Sequence, residues 1–343
     1  MERINVLIIG AGPIGLEVGF CLREAGIGAI NVDAGGIGHT ISRLFPPATR
    51  FFSSPDRLAI AGMDCPVPTQ EKITGEEYLA YLRSVVVSRG LTVRTFHRVT
   101  GAEAVDDGFD VTLVEPSGIE HRLHAGRIVI ACGGTHRRRT LGIPGERLGH
   151  VSSELGDPHR FFGRRLLVIG GRNSAVESAL RCWRAHADVA ISYRGEAIHD
   201  RVKYWLRPEV ESLLQEGRIK AWMPTRPVAI EPSHVVLEWI GSGETVNVEV
   251  DDVLLQIGYE QDDTLFRMFG VRCKGEQHAP VFNPDTLETD IPGVFVAGTA
   301  IAGTQQRYKA YIETSHGHGP RIAAALSGAP PPEVEEARAL PEG

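Results

Sequence analysis

The feature that most constrains this chain is a three-part device that occurs twice: an apolar strand, a glycine turn and a helix. INVLIIGAGPIGLEVGFCLREAG carries it near the amino terminus, and LLVIGGRNSAVESAL carries it again from Leu166 to Leu180. Each copy is followed by alternating apolar and polar runs. In the first half these are LTVRTFHRVTGAEAV, FDVTLVE and IEHRLHAGRIVIACGG, separated by Asp-Asp-Gly and Pro-Ser-Gly turns. Period-two alternation around such turns predicts an antiparallel meander feeding a buried strand. RPVAIEP, HVVLEWI and ETVNVEVDDVLLQIGYE repeat the pattern in the second half. Two similar modules follow, the second inserted into the first, because TDIPGVFVAGTAIAGTQQ reads as a returning strand and turn that completes the first. The closing GAPPPEVEEARALPEG, rich in Pro and Glu, is expected to be a loose tail.

The first turn fits GxGxxG with Gly10, Gly12 and Gly15. Gly10 permits the tight turn, Gly12 lets a pyrophosphate approach the backbone, and Gly15 lets helix and strand pack closely. Pro13 takes the first helical position, where its missing N–H costs nothing. The free amides of the helix end then favour an anion. The second strand, GAINVD, ends in Asp33, at the separation expected of an acid that accepts from an adenosine ribose. Such an acid repels a 2′-phosphate, so the ligand is FAD or NAD rather than NADP.

The second turn keeps Gly170 and ends in Ala175, but Arg172 stands at the position of closest approach, followed by Asn173 and Ser174. Its guanidinium can pair with phosphate oxygens instead. Here DVAISYRG offers Tyr193 and Arg194 where the first module offers Asp33. An Arg at that place suits a 2′-phosphate, which predicts NADPH over NADH. Arg201 and Lys203 are candidates to add charge. The fold expected is therefore α/β: two Rossmann-like dinucleotide-binding domains, each with an antiparallel meander. Residues 1–136 and 259–343 form the FAD-binding domain and 137–258 the NADPH-binding domain.

Composition narrows the function further. With 36 basic and 43 acidic residues the net charge is −7, no overall footprint for nucleic acid. No apolar run approaches the ~18 residues that cross a membrane, and INVLIIG flows directly into structure, so a cytoplasmic protein is expected. The five cysteines, Cys21, Cys65, Cys132, Cys182 and Cys273, form no CxxC and no zinc-ligand spacing, so no metal is expected.

GAGPIGLE, FFSSPDRLAI, IPGERLGHVSS, VIGGRNSAVESAL, YRGEAIHDRVKYWLRPE and GVFVAG together resemble the bacillithiol-disulfide (bacilliredoxin) reductase family of thioredoxin reductase-like flavoproteins. The resemblance covers nearly the whole chain. It implies FAD at the first turn, NADPH at the second, a homodimer, and electrons passed to oxidised bacilliredoxin or bacillithiol disulfide. It places Ile14, Thr40, Ala131, Cys132, Gly133, Gly298 and Thr299 with the FAD, and Gly258 and Tyr259 with the NADPH. Arg172 and Asn173 fall on that family's basic-Asn pair. His39, Glu313, His316 and His318 fall in segments that the resemblance brings near the flavin, as candidate proton donors.

Three departures carry consequences. VSSELGDPHRFFGRR, where thioredoxin reductases hold their redox pair, contains no cysteine, so no protein disulfide there takes electrons onward. Ile14 stands where several members of the bacillithiol family have Cys. Thr299 stands where the superfamily usually has Asp, which predicts FAD held less tightly. Cys132 replaces a usual Thr and reads as a small side chain rather than a nucleophile, for want of a basic partner. The basic cluster HRRRT, His136 to Thr140, reads as solvated or phosphate-facing. Alternatives on the same architecture are a ferredoxin- or flavodoxin-NADP reductase, or a non-catalytic flavin/NADPH redox sensor; a flavin monooxygenase would need FxGxxxH, which is absent.

Overall fold

The computed structural model describes residues 1–67, 71–135, 137–305 and 310–333. His136 of the basic cluster, Gln306 of the returning segment and the tail beyond residue 333 lie outside them. The chain divides into two compact units, Met1–Arg137 with Tyr259 onward, and Arg138–Gly258.

The first unit opens with β1 (Glu2–Ile9), α1 (Pro13–Glu24), β2 (Ala29–Val32) and α2 (His39–Leu44). There follow α3 (Gly75–Arg89), β3 (Val93–Arg94), β4 (Arg98–Val105), β5 (Gly108–Val114) and β6 (Glu120–Ile130). α3 starts at a complete capping box, Thr74 accepting from the Glu77 N–H while the Glu77 carboxylate accepts from the Thr74 N–H. β3, β2, β1 and β6 lie side by side in parallel, and β5 and β4 continue the sheet as an antiparallel meander on β6.

The second unit supplies β7 (Val151–Ser152), β8 (Arg165–Ile169), α4 (Asn173–Arg184), β9 (Asp188–Ser192), α5 (Arg207–Gln215) and β10 (Lys220–Trp222). β11 (Thr225–Ile230), β12 (His234–Trp239) and β13 (Thr245–Glu249) form a separate antiparallel sheet, and β14 (Asp252–Leu255) returns to the parallel one. The parallel order is β10-β9-β8-β14-β7. In the first unit the meander grows on the eleven-residue β6 without a break; in the second, ETVNVEVDDVLLQIGYE is divided at Val250 and Asp251. The cause is Asp251, whose carboxylate accepts the Arg165 N–H at 2.8 Å and pairs with its guanidinium. Arg165 holds that carboxyl down at about 2.

β15 (Val294–Val296), paired in parallel with β6, and α6 (His318–Ser327) complete the first unit. Successive side chains of a strand point to opposite faces. Val6 and Ile8 of β1 accordingly pack with Ile14, Val18 and Leu22 of α1 and Ile322 of α6, while Leu7 and Ile9 pack with Phe109, Phe266 and Phe269. β8 repeats this: Leu166 and Val168 meet α4, whereas Leu167 and Ile169 meet Ile230, Val235 and Leu237 of the three-stranded sheet. Near-continuous apolar strands covered on both faces are what parallel sheets require. The expected fold class is borne out. Among the described residues no helix is long and apolar enough to cross a membrane.

Candidate functional site

Both glycine turns close in the same way. Gly10 has φ 129°, and a Cβ built there would overlap the Ala131 carbonyl oxygen. Gly170 has φ 141°, and a Cβ there would overlap the Gln256 carbonyl oxygen. Gly12, the N-cap of α1, has only open space within 4 Å of the position a Cβ would take, and no side chain caps that helix end. The turn thus exposes unsatisfied backbone donors on a face with room for an anion. Asp33 follows β2, its two carboxylate oxygens accepting from the Ala11 N–H at 2.9 Å and the Gly35 N–H at 2.8 Å. Those bonds fix the acid beside the turn, as a ribose-binding role requires. FAD therefore fits the residues present.

Asn31, which the sequence reading missed, clamps this turn. Buried on β2, it donates through Nδ2 to the carbonyls of Gly10 and Gly15, both at 2.9 Å. Its only sequence signal is an amide in an otherwise apolar strand.

At the second turn the backbone register makes Tyr193 the counterpart of Asp33: Gly10 donates to Val32, and Gly170 to Ser192. The Tyr193 ring lies against Gly171 and Gly195, so tightly that a Cβ on either would overlap it. Arg172 is the exposed N-cap of α4, Ser174 is exposed, and Ala175 is buried with its Cβ 3.0 Å from where a Gly170 Cβ would stand. Asn173 Oδ1 accepts the Lys203 N–H at 2.7 Å. The Lys203 ammonium lies 3.2 Å from Glu177, its side chain 11% exposed, so its charge is directed inward rather than toward the turn.

His199 is a second residue the sequence reading passed over. Its N–H donates to the Gly171 carbonyl and its Nδ1 accepts the Arg201 N–H, both at 3.1 Å. Burial first, then the positive charges of Arg172, Arg201 and Arg194, hold its imidazole below the ordinary range. Three arginines thus act on this ring, opposed by Asp200. NADPH fits such a set, since guanidinium groups can pair with the oxygens of a 2′-phosphate. Gly258, with φ 94°, follows β14 as Gly133, with φ 84°, follows β6. Tyr259 falls in the first unit.

The end of β15 meets the first turn. Gly298 adopts φ 67° with Ile14 Cβ 3.2 Å from where its own Cβ would stand, and Thr299 Oγ1 accepts the Gly134 N–H at 3.0 Å. Nearby, Gln261 donates to the Ala300 carbonyl, while its buried Oε1 has no hydrogen-bond partner among the described residues. Ile14, Gly133, Gly298 and Thr299 are therefore brought together.

The candidate proton donors differ in setting. His39 is exposed at the start of α2, its ring lying over Gly35, and Thr40 follows it partly buried. Glu313 accepts from the buried Ser53 hydroxyl of the FFSS segment. His316 Nε2 lies 2.8 Å from the Arg57 carbonyl. His318 is buried, and its Nδ1 accepts the Gly298 N–H at 2.9 Å. Burial, then Arg321 and His316, push it down to about 4, so it is neutral at physiological pH. Such a ring fixes the Gly298 turn and holds no readily released proton. All five cysteines are free thiols. Burial pushes Cys132, Cys21 and Cys182 up to about 12 and Cys65 up to about 11, and raises Cys273 as well.

Two dinucleotide turns, one served by an acid and one ringed by arginines, define a flavoprotein that takes electrons from a pyridine nucleotide. The sequence profile of the pyridine nucleotide-disulphide oxidoreductases matches residues 7–298. The chain is also 30% identical over 327 residues to bacilliredoxin reductase of Bacillus subtilis, across 95% of this chain and 98% of that protein. The chain belongs to this family, in its bacilliredoxin reductase branch. It shares 29% identity with the solved bacillithiol disulfide reductase of Bacillus cereus at a TM-score of 0.90, covering 95% of this chain and 99% of that one. A ferredoxin-NADP reductase of Ignicoccus hospitalis is 26% identical over 302 residues, across 86% of this chain and 89% of that protein. The protein is an FAD-dependent NADPH:disulfide oxidoreductase, as the resemblance implied.

Proposed function

We propose that the acceptor is a low-molecular-weight thiol disulfide or a small redoxin, bacillithiol disulfide or oxidised bacilliredoxin, reduced without an internal CxxC pair. The observation that carries this reading is the state of the cysteines: five free thiols, none paired with another. A thiol held up at about 12 is a poor relay, since the thiolate is the reactive form. When bound, FAD and NADPH supply the hydride and electron chemistry. The chain's own part is to bind and orient. Asp33 takes the adenosine ribose of FAD, Gly12 admits its pyrophosphate, and Arg194, with Arg172 and Arg201, takes the 2′-phosphate of NADPH. Thr299 serves the flavin domain without the charge of the usual Asp, so FAD is held less tightly. Each disulfide reduced consumes one NADPH and one proton and releases two thiols. Glu313, positioned by Ser53, is the candidate for delivering a proton to the leaving sulfur, with His39 and His316 as the other groups available.

Free thiols throughout accord with a reducing, cytoplasmic setting. The resemblance extends the proposal to a homodimer, which light scattering of the purified protein tests. The likeness to a ferredoxin-NADP reductase favours a second reading in which the acceptor is ferredoxin or flavodoxin. NADPH oxidation assayed in parallel with bacillithiol disulfide, bacillithiolated bacilliredoxin, ferredoxin and flavodoxin separates the two. Turnover with the first pair is expected. Turnover confined to the second pair refutes the disulfide reading, and none with any of the four favours a redox sensor.

A further inference from the structure

One cluster of ligand-bearing side chains takes no part in binding either nucleotide. His97 stands immediately before β4, Glu115 immediately after β5, and His121 near the start of β6. The antiparallel register sets Val114 opposite both Arg98 and Glu120, and Leu113 opposite His121. Three strands of the meander therefore deliver the three residues to one end of the sheet. Glu115 Oε1 lies 2.6 Å from His121 Nε2 and 3.5 Å from His97 Nε2, and the ligand atoms all lie within 4.8 Å of one another.

Two of the remaining polar atoms of the cluster are already committed. His97 Nδ1 lies 2.8 Å from the Thr95 carbonyl, an acceptor, so that nitrogen carries the proton. In the neutral ring Nε2 then turns a lone pair toward the Glu115 carboxylate. Glu115 Oε2 accepts the Ser117 hydroxyl at 3.4 Å, which leaves Oε1 for the two imidazoles. Histidines that ligate metals commonly have the second ring nitrogen fixed by a carbonyl in this way. A proton on His121 Nε2 bridges that ring to Glu115 at 2.6 Å in the absence of an ion, and a metal ion can take that proton's place.

We propose that His97, Glu115 and His121 bind a divalent transition-metal ion, with His97 Nε2, His121 Nε2 and one Glu115 oxygen as ligands and solvent at the open position. Two imidazoles and one carboxylate suit Zn²⁺ and its first-row neighbours, and not Mg²⁺ or Ca²⁺, which require oxygen. Tetrahedral bonds of about 2.0–2.1 Å set ligand atoms roughly 3.3 Å apart, so His121 Nε2 must draw back from its 2.6 Å approach to Glu115 while His97 Nε2 closes in, movements that side chains at the protein surface can make. The side chains of His97, Glu115 and His121 are 20%, 30% and 42% exposed, so an ion has access. The three come from positions far apart in sequence, so the site carries no local spacing signal. His97 also donates its N–H to the Asp33 carbonyl at 2.8 Å, which puts the site on the loop that carries the ribose-binding acid.

The test uses untagged, chelator-stripped, FAD-containing protein titrated with Zn²⁺ in competition with a chromophoric chelator. One equivalent per chain is expected, with affinity at least about tenfold weaker in His121→Ala and Glu115→Gln and lost in a His97→Gln/His121→Gln double variant. Imidazole NMR signals of the wild-type protein give a readout that needs no variant: those of His97 and His121 shift with the first equivalent. Failure to bind Zn²⁺, binding equally tight in the variants, or shifts confined to other histidines overturns the proposal.

Discussion

At the scale of single residues, the proposed coenzyme choice turns on the position after the second strand of each unit. Asp33 stands there in one unit and Tyr193, followed by Arg194, in the other. A charge-assisted bond to phosphate contributes about 1.5–3 kcal/mol, roughly ten- to a hundredfold in affinity. Arg194→Ala is therefore expected to raise KM for NADPH by that factor and to leave KM for NADH little changed; equal losses for both coenzymes would remove Arg194 from the phosphate site. His318 yields a prediction in pH. Its imidazole drops from an ordinary 6.5 to about 4 in the folded chain. Above pH 6.5 both folded and unfolded forms are neutral and contribute no slope. Between 6.5 and 4 only the unfolded chain gains the proton, so stability falls with pH, by on the order of 3 kcal/mol in total. His318→Asn, whose amide oxygen can still accept the Gly298 N–H, should lose part of this dependence, read as a smaller drop in thermal midpoint between pH 7 and pH 5. An identical drop in wild type and variant would contradict the assignment. The places of the glycines, Asp33, Arg172 and Arg194 at the two turns were legible because each belongs to a local motif. Asn31 and His199 were not, because their roles depend on carbonyls that the turn presents only once folded.

At the scale of elements, strand, turn and helix were readable twice over because apolar runs and glycines are local signals. What was not local is how each meander attaches. β6 is long enough to serve both the parallel sheet and the hairpin, whereas the Asp251 pairing with Arg165 ends β13 and starts β14 separately. The first turn depends on a neighbouring element in the same sense. Asn31 on β2 satisfies two carbonyls, those of Gly10 and Gly15, whose conformations the nucleotide site requires. Asn31→Leu removes both bonds and leaves the Gly10 carbonyl without its amide donor in a buried place, while the Gly15 carbonyl keeps its place in the α1 ladder, at a cost of about 1–3 kcal/mol. The expected result is a lowered thermal midpoint and faster release of FAD, followed by the rise of free-flavin fluorescence on dilution. If FAD is retained as in wild type, the clamp does not shape the site.

At the scale of the whole molecule, the question is whether electrons leave through the protein or directly from the cofactor. A relay needs a thiolate near neutral pH and a second cysteine to close a disulfide on it. Neither is present among the described residues, which include all five cysteines: Cys65 and Cys182 are buried, and the other three are partly buried thiols raised above the ordinary range. Cys21 meets α6 at Gly319, where a Cβ would stand 2.8 Å from its sulfur, a packing role rather than a chemical one. The Cys132 thiol donates to the Gly133 carbonyl at 3.7 Å, and its side chain packs against the core of the first unit. A variant with all five replaced by Ala should therefore melt at a lower temperature, because Cys182 sits wholly inside a core, yet keep most of its turnover per bound FAD with bacillithiol disulfide. Turnover reduced to background in that variant, restored by returning Cys132 alone, would establish a thiol relay and refute direct transfer from the flavin. Turnover retained would leave the acceptor disulfide itself as the first sulfur the electrons meet, so that specificity must reside in the surface that receives it.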